Sequence, residues 1–232
     1  MTVVGRSWVL RLARIKVVAV LASLPFSLLA APLSFVNIAD TRTGQFSSIS
    51  DSPSISSNGI VAFEAALASG GTGIFAGTGG AVTTIADSSG MFRTFSTHPS
   101  VNAAGTVAFR AQIDTLNTGI FTGNGAVVIP IVTDVVPGSN LVGFSEATIN
   151  DQGKVVFTAQ PLGVIGNRLF LSQGGALTTL YDTSGPFNAF IGTPFINSAG
   201  NVVFVAGLGG RDRHIRRQRR ADDDDRYQQR RL

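Results

Sequence analysis

The sequence contains no cysteine, and only two of its 232 residues are histidine. The absence of cysteine excludes disulfide bonds, a thiol nucleophile and every thiolate metal site. Charged residues make up only 14% of the chain, whereas 44% is hydrophobic and 27 residues are glycine. This apolar content argues against a disordered chain, and the length suits one large domain or two small ones.

The few charges are placed unevenly. A net charge of +4 and an isoelectric point near 10.3 would ordinarily indicate a nucleic-acid or membrane partner. Residues 1–31 hold four basic residues and no acid, and residues 211–232 hold nine arginines and five aspartates. Residues 32–210, in contrast, carry five basic residues and nine acids, a net charge of −4. The basic balance therefore belongs to the two ends, and we expect no nucleic-acid partner.

Residues 1–31 have the order of a secretory signal peptide. A positive stretch from Arg6 to Lys16 precedes an apolar run, Val17 to Ala31, that ends in small residues before Pro32. The run of about 15 residues is shorter than the roughly 20 that a membrane-spanning helix needs. An uncleaved anchor is the alternative, since leucine stands near the −3 position of the cleavage site. We expect a secreted or cell-envelope protein that meets the membrane only through this export signal or a lost C-terminal anchor.

A nine-residue motif occurs four times in the middle of the chain. The copies are Ile55–Phe63, Val101–Phe109, Ile149–Phe157 and Ile196–Phe204. Each copy has a glycine, and the intervals between these glycines are 46, 48 and 47 residues: Gly59, Gly105, Gly153 and Gly200. Asparagine stands three residues before the last three glycines, at Asn102, Asn150 and Asn197, and Ser56 stands there in the first copy. Phenylalanine closes every copy, at Phe63, Phe109, Phe157 and Phe204.

Two further markers share this period. A Thr-Gly-Ile-Phe element follows the motif at Thr72–Phe75 and Thr118–Phe121, with a weaker form at Asn167–Phe170. An apolar run then ends in an aspartate, and the spacings are 47, 47 and 48 residues: Asp40, Asp87, Asp134 and Asp182. A fixed period indicates a repeat architecture. We place four repeats within residues 32–210, at 34–79, 80–125, 126–174 and a truncated 175–210.

Each repeat has the pattern of short strands joined by tight turns. Valine and phenylalanine alternate with other residues at the end of the motif, which is typical of one buried strand face. The Asn-x-x-Gly before them is typical of a hairpin loop whose glycine takes a positive φ. Gly-Ile-Phe predicts a second strand, the run before the aspartate a third, and the segments at Phe92–Phe95 and Phe187–Phe190 a fourth.

Four short strands in about 45–50 residues is the size of a propeller blade. The sequence therefore predicts an all-β fold of tandem four-stranded units of about 47 residues, β-propeller-like and incomplete. A β-solenoid is the alternative.

The recurring Asn-x-x-Gly-x-Val-Ala-Phe, followed by Thr-Gly-Ile-Phe, resembles the bacterial tandem-repeat family named for its NxxGxxAF motif. The resemblance covers roughly residues 34–210; Ser56 and Arg168 depart from the pattern. Proteins of that family are exported and end in one of several alternative surface anchors, so the resemblance implies a surface or extracellular location. It implies no chemistry.

The tail, residues 211–232, interrupts the repeat where the pattern predicts Thr-Gly-Ile-Phe. With GC-rich codons, reading one base later gives Gly-Thr-Gly-Ile-Phe-Val-Gly-Asn-Gly-Ala-Leu-Thr-Thr-Thr-Ile-Ala-Thr-Ser-Ser-Gly. That reading nearly reproduces Gly71–Gly90. We hypothesise a frameshift near residue 210 and expect the charged tail to be disordered. A genuine tail that binds nucleic acid or a partner is the alternative.

No candidate for catalysis has its expected context. The Gly71–Ala76 segment imitates a dinucleotide fingerprint without a following helix, and Ser145 resembles a nucleophile elbow only loosely. His98 is the one histidine of the repeats, and Glu64 and Glu146 are the only glutamates. The four recurring aspartates are weak Ca²⁺ candidates, and Asx turns at the strand ends are the favoured interpretation.

These observations favour an exported, non-catalytic β-repeat scaffold or interaction module at the cell surface, without cofactor, that binds an unknown protein or glycan. The alternative is a propeller domain of a larger carbohydrate-acting or sensor protein. An enzyme within this chain is the third choice.

Overall fold

The computed structural model describes residues 34–134 and 140–209, together with the backbone of 215–220. The predicted signal peptide and the tail residues 211–214 and 221–232 lie outside this part. Contacts divide the chain into two units, Met1–Phe35 and Val36–Leu232, and the fold is that of the second. Every regular element in the described ranges is a β-strand, and none of them contains a helix that could cross a membrane.

The strands form four sheets in chain order. Sheet 1 contains β1 (Phe46–Ile49), β2 (Ser54–Ile55), β3 (Val61–Leu67), β4 (Thr72–Gly77) and β5 (Thr83–Asp87). Sheet 2 contains β6 (Thr94–Phe95), β7 (Ser100–Val101), β8 (Val107–Gln112), β9 (Thr118–Gly123) and β10 (Val128–Thr133). Sheet 3 contains β11 (Leu141–Val142), β12 (Thr148–Ile149), β13 (Val155–Pro161), β14 (Arg168–Gln173) and β15 (Ala176–Tyr181). Sheet 4 contains β16 (Phe187–Ile196), β17 (Asn201–Leu208) and β18 (Ile215–Arg220).

The first three sheets share one topology. In sheet 1 the order is β1-β3-β4-β5, and β2 pairs with β3 beyond the end of β1. The two short strands are thus halves of one interrupted strand, and each sheet is effectively four-stranded. All strand pairs in the described residues are antiparallel and lie within one sheet. This confirms the all-β, propeller-like prediction and excludes the solenoid, whose coils would pair with one another.

The predicted repeat bounds need correction. They separate 34–79 from 80–125 and so assign residues 83–87 to the second repeat, whereas β5 pairs with β4 in sheet 1. The same shift affects β10 and β15 at the bounds 125/126 and 174/175. The reason is the turn after β4, where Gly79 and Gly80 have φ of +98° and +143° and fold the chain back onto the same sheet. The sheets span residues 46–87, 94–133, 141–181 and 187–220.

The phenylalanines of the two sequence motifs form cross-strand pairs in the core. The last residue of the nine-residue motif lies opposite the phenylalanine of Gly-Ile-Phe, and the two rings stack with centroids 5.7–5.9 Å apart. The pairs are Phe63 with Phe75, Phe109 with Phe121 and Phe157 with Phe170. In sheets 2 and 3 they belong to clusters that join each sheet to the one before it. This cross-strand pairing is why the two motifs recur together.

The glycine of Gly-Ile-Phe makes room for that ring. A Cβ atom added to Gly73 would lie 2.8 Å from the Ala86 carbonyl oxygen and 2.9 Å from the Phe75 ring. Gly119 is equally close to the Phe121 ring. The space is therefore closed to any side chain, which explains a glycine within a strand.

The two ends of the array differ. The phenylalanine cluster of sheet 1 (Phe46, Phe63 and Phe75) is buried beneath Ile38 and Ala39, which precede the first strand. The residues before β1 thus close this end. Sheet 4 has no corresponding cover among the described residues.

Part of the tail is ordered, contrary to the prediction of disorder for 211–232. Residues Ile215–Arg220 form β18 and pair with β17 from Ala206↔Ile215 to Asn201↔Arg220. The physical reason is the free edge of β17, whose backbone N–H and C=O groups accept any strand, whatever its side chains. β18 takes the place that β4, β9 and β14 hold in the other sheets.

Candidate functional site

The motif asparagines close their own turns. Asn102 Oδ1 accepts hydrogen bonds from the backbone N–H groups of Ala104 (3.1 Å) and Thr106 (3.0 Å). Asn150 does the same for Gln152 (3.1 Å) and Lys154 (2.9 Å). The glycine of each turn has a positive φ, as the sequence predicts: 87° at Gly59, 76° at Gly105, 75° at Gly153 and 81° at Gly200.

The same asparagines also join neighbouring sheets. Asn102 Nδ2 donates to the Asn150 backbone oxygen, and Asn150 Nδ2 donates to that of Asn197, both at 3.1 Å. Asn102 and Asn150 are each only 4% exposed. We call this chain of contacts the asparagine ladder. Sequence reasoning assigned these residues to hairpins and missed the ladder, although their spacing by one repeat was its signal.

In the first repeat, one residue closes the turn and a second residue contacts the next sheet. Ser56, which replaces the motif asparagine, accepts a hydrogen bond at Oγ from the backbone N–H of Ile60 at 3.0 Å. Asn58 Nδ2 reaches the next sheet and donates to the Ala103 backbone oxygen at 2.7 Å. The ladder therefore runs through all four sheets despite the departure from the motif.

Asp151 connects three sheets beside the ladder. Its Oδ1 accepts from the Ala103 backbone N–H in the turn of sheet 2 (2.8 Å), and its Oδ2 accepts from the Ser198 hydroxyl in the turn of sheet 4 (2.7 Å). Both hydrogen bonds stabilise the carboxylate and so hold the pKa of Asp151 below its usual value. The bond from the Ala103 backbone has the larger effect, and the bond from Ser198 the smaller.

This gives a pH-dependent prediction for Asp151→Asn. A carboxylate whose folded pKa is lowered stabilises the fold above its unfolded pKa, about 3.9, and this contribution is lost as pH falls through the folded pKa. Asp40, Asp114 and Asp182 act in the same direction, so the variant should show a shallower but not flat fall in stability below about pH 4. Urea unfolding at intervals between pH 2 and 7 gives the free energy of unfolding of the wild type and of the variant as a function of pH. An equally steep fall in both proteins would contradict the stabilising role assigned to the Asp151 carboxylate.

The four recurring aspartates lie at separate places in the fold: Asp87 ends β5, Asp134 and Asp182 follow β10 and β15, and Asp40 precedes β1. Three of them close local turns through Oδ1, as the favoured interpretation expects: Asp40 accepts from Arg42 N, Asp87 from Ser89 N and Asp182 from Ser184 N. Asp134 differs, because it accepts from Thr118 N across the β9–β10 pair at 2.8 Å. Within the described ranges, no three His, Cys, Asp or Glu side chains are grouped so as to hold a metal ion.

The other residues considered for catalysis are engaged in structural contacts. The Ser145 hydroxyl donates to the Glu146 backbone oxygen (2.7 Å) and accepts from the Thr158 backbone N–H (2.9 Å). His98 Nδ1 lies 2.9 Å from the hydroxyl of the neighbouring Thr97. Glu64 stands on β3 with its pKa raised by burial. The Gly71–Ala76 segment is a turn and the strand β4, as the turn interpretation predicts.

An ion pair that sequence reasoning missed joins sheets 2 and 3. The Arg110 guanidinium contacts Glu146 Oε1 through Nε (3.1 Å) and Nη2 (3.0 Å). The side chain of Arg110 is 38% exposed and that of Glu146 only 15%. The two residues are 36 positions apart and share no repeat position, so no sequence pattern connects them.

Arg110 lines a cleft of about 250 Å³ on sheet 2. Five of its seven lining residues are polar: Thr94, Ser96, Arg110, Gln112 and Thr118. Phe95 and Ala111 complete the wall, and the Phe95 ring itself packs against Phe92 and Phe109 in the core. The Thr94 hydroxyl donates to Gln112 Oε1 (3.1 Å), and Gln112 Nε2 donates to the Thr115 backbone oxygen (3.2 Å). The cleft thus adjoins the loop between β8 and β9.

That loop lies at the end of the sheets opposite the asparagine ladder. β3, β8 and β13 each begin at an Asn-x-x-Gly-type turn and end at a second loop, residues 68–71, 113–117 and 162–167. We call these three loops the distal end. Large apolar side chains are exposed there, with Leu116 85% and Ile165 95% accessible. The distal end therefore combines a polar cleft with exposed apolar loop tips.

Comparison with known proteins gives a family. A family model described as "Family of unknown function (DUF7453)" matches residues 37–220, and a comparison with curated proteins finds no match. Two solved structures are similar at low identity. The β-propeller domain of the Trilobed protease from Pyrococcus furiosus, with an open velcro topology, has 14% identity and a TM-score of 0.44 over 68% of this chain and 45% of that one. The polysaccharide lyase Uly1 has 12% identity and a TM-score of 0.37 over 77% and 51%. The chain spans about half the length of these structures.

Proposed function

The chain belongs to the DUF7453 family of unknown function, and we propose that it is an exported, non-catalytic interaction module of the cell surface. The stacked sheets serve as a rigid scaffold, and the distal end binds a protein or glycan ligand without a cofactor. The likeness of its motifs to the NxxGxxAF repeat family, which implies a surface location, stays a prediction.

The observation that carries this proposal is the distal end. Leu116 and Ile165, on two of its loops, are almost fully accessible, and we infer that they contribute to an interaction surface, the usual role of grouped exposed apolar side chains. The neighbouring cleft is lined by Gln112 and Arg110 together with the polar residues Thr94, Ser96 and Thr118. Polar groups that converge in a small concavity suit a single sugar ring or polar side chain.

The state of the polar motif residues supports binding rather than catalysis. The asparagines of the ladder and the Ser145 hydroxyl are held in hydrogen bonds that maintain the fold. A nucleophile needs a base within hydrogen-bond reach, and the described partners of Ser145 are backbone groups. In this proposal the sheets form the rigid scaffold, and the loops of the distal end form the binding surface.

The proposal is tested with glycan and peptide arrays probed with the wild-type chain and a distal-end variant. Leu116→Ser combined with Ile165→Ser removes the apolar tips, and we expect the affinity for the array-selected probe to fall about tenfold or more. Ile55→Ser is the matched control, because Ile55 is also exposed (71%) but precedes a turn at the opposite end. Equal loss of affinity in the control, or none in the double variant, would reject the distal end as the binding surface.

A second candidate is a propeller domain within a larger carbohydrate-acting or sensor protein. The observation in its favour is the outer face of sheet 4, which no described residue covers and where Phe195 is 61% exposed. The gene distinguishes the two, because an in-frame downstream domain with paired carboxylates would favour the second.

We propose that residues 1–31 direct export and are removed. Expression in a bacterial host with and without these residues tests this: the longer form should reach the periplasm or medium with a shortened N-terminus. Retention of both forms in the cytoplasm would contradict export.

We also propose that residues 211–232 are read in a shifted frame. The recovered motif supports this, because the shifted reading restores Thr-Gly-Ile-Phe after the fourth copy of the nine-residue motif, as in the first two repeats. Sequencing the gene past codon 210 decides the matter. A +1 frame that does not encode Gly-Ile-Phe would end the hypothesis.

A further inference from the structure

The outer face of sheet 4 is apolar, and no residue within the described ranges covers it. Ile191 and Phe195 of β16 are 49% and 61% exposed. They pair with Val205 and Val203 of β17, so the four side chains share one face of the sheet. The opposite face holds Phe187, Phe190 and Phe204, which are buried against sheet 3.

The position of Val203 is buried in every preceding sheet. Val203 corresponds to Ala62, Ala108 and Val156, the residues just before the phenylalanine that closes the motif, and all three are fully buried. Ala62 packs against residues of sheet 2, Ala108 against sheet 3 and Val156 against sheet 4. The face that remains open on sheet 4 is therefore the face that, elsewhere in the chain, receives the next sheet.

The asparagine ladder ends on this same side. Asn102 and Asn150 each donate from Nδ2 to the next sheet. Asn197 keeps the turn-closing bond, in which Oδ1 accepts from the Asn201 backbone N–H at 2.9 Å. Among the described residues its Nδ2 has no acceptor, and the residue is exposed where its two counterparts are buried.

We propose that the outer face of sheet 4 is the docking face for a fifth sheet of the same repeat, which the shifted frame proposed above would encode after residue 210. The occupant would bring a phenylalanine pair to Phe195 and Val203, and its turn would present a backbone oxygen to Asn197 Nδ2. Continuity with the three existing interfaces supports this occupant over a second copy, whose first sheet is already covered by Ile38 and Ala39. Terminal units of a repeat array need a cap, and the first sheet has one. The inference rests on that shifted frame but not on the ligand proposed above. Sequencing the gene tests the frame, and the extended chains described next test the face.

The test extends the chain by one repeat of its own sequence. Replacing residues 210–232 with a copy of 71–134 supplies the missing strands of sheet 4 and then a fifth sheet with the sequence of sheet 2. Replacing the same residues with a copy of 71–87 alone completes sheet 4 without a fifth sheet, and this shorter chain is the matched control. Phe195→Ala and Asn197→Asp are then introduced into both chains; aspartate keeps the turn-closing oxygen and removes only the amide donor.

In the longer chain each substitution should raise the unfolding equilibrium constant at least tenfold, and in the shorter chain less than about threefold. Equal effects in the two chains would overturn the proposal. A shorter chain that dimerises in analytical ultracentrifugation, and becomes monomeric with Phe195→Ala, would assign the face to a second copy and overturn it too. A second longer chain, in which a copy of residues 117–181 replaces residues 210–232, controls for an unfavourable junction in the first longer chain. Failure of both longer chains to fold while the shorter one folds would also contradict a fifth-sheet docking face.

Discussion

Replacing Phe109 with alanine is expected to lower the free energy of unfolding by about 3–5 kcal/mol. The side chain is completely buried, and its ring lies 5.8–5.9 Å from the rings of Phe92, Phe95 and Phe121. Removal leaves a cavity between sheets 1 and 2 that the packed rings fill only partly. Urea unfolding followed by circular dichroism measures the change.

Phe195→Ala in the same 232-residue chain is the control for this prediction. It removes the same atoms from a ring that is 61% exposed, so the expected cost is below about 0.5 kcal/mol. A Phe109→Ala variant that unfolds no more easily than Phe195→Ala would show that the stacked phenylalanine pairs do not hold the sheets together.

Replacing Asn150 with alanine is expected to cost about 2–4 kcal/mol, since each buried polar group left without a partner costs about 1–3 kcal/mol. The change removes the acceptor of two backbone N–H groups, including the buried one of Lys154. It also removes the donor to the Asn197 backbone oxygen. Asn150→Asp should cost less than alanine, because it keeps the acceptor and loses only the contact between sheets.

Asn124→Ala is the matched control for the ladder. Asn124 closes a turn in the same manner, with Oδ1 accepting from Ala126 N and Val127 N at 3.1 Å, but it is exposed and its described bonds stay within sheet 2. Its replacement is expected to cost about 0.5–1.5 kcal/mol. A cost equal to that of Asn150→Ala would mean that the contacts between sheets add nothing to the turn.

The sequence predicts the strands and turns well because both depend on local rules. Period-two alternation identifies β3, β8, β13 and β17, and the need for positive φ identifies the turn glycines. The residue at which each repeat begins, in contrast, is not set by a local rule. Any window of about 47 residues satisfies the periodicity, and only the pairing of β5 with β4 shows where a sheet ends.

The features that sequence reasoning missed join residues of different sheets. The ladder connects Asn102 to Asn150 across a whole repeat, and the Arg110–Glu146 pair connects positions that no motif relates. The ordered strand in the tail was missed for another reason: composition predicts disorder for an arginine-rich segment, whereas the free edge of β17 pairs with backbone groups alone.

The binding role is tested most directly by following the ligand itself. The wild-type chain is titrated by calorimetry with the glycan or peptide that the array selects, and the ligand is recovered after prolonged incubation and weighed by mass spectrometry. A non-catalytic module predicts saturable binding that the Leu116→Ser, Ile165→Ser variant weakens, with the ligand recovered at its original mass. A ligand recovered cleaved or modified by the wild-type chain would contradict it.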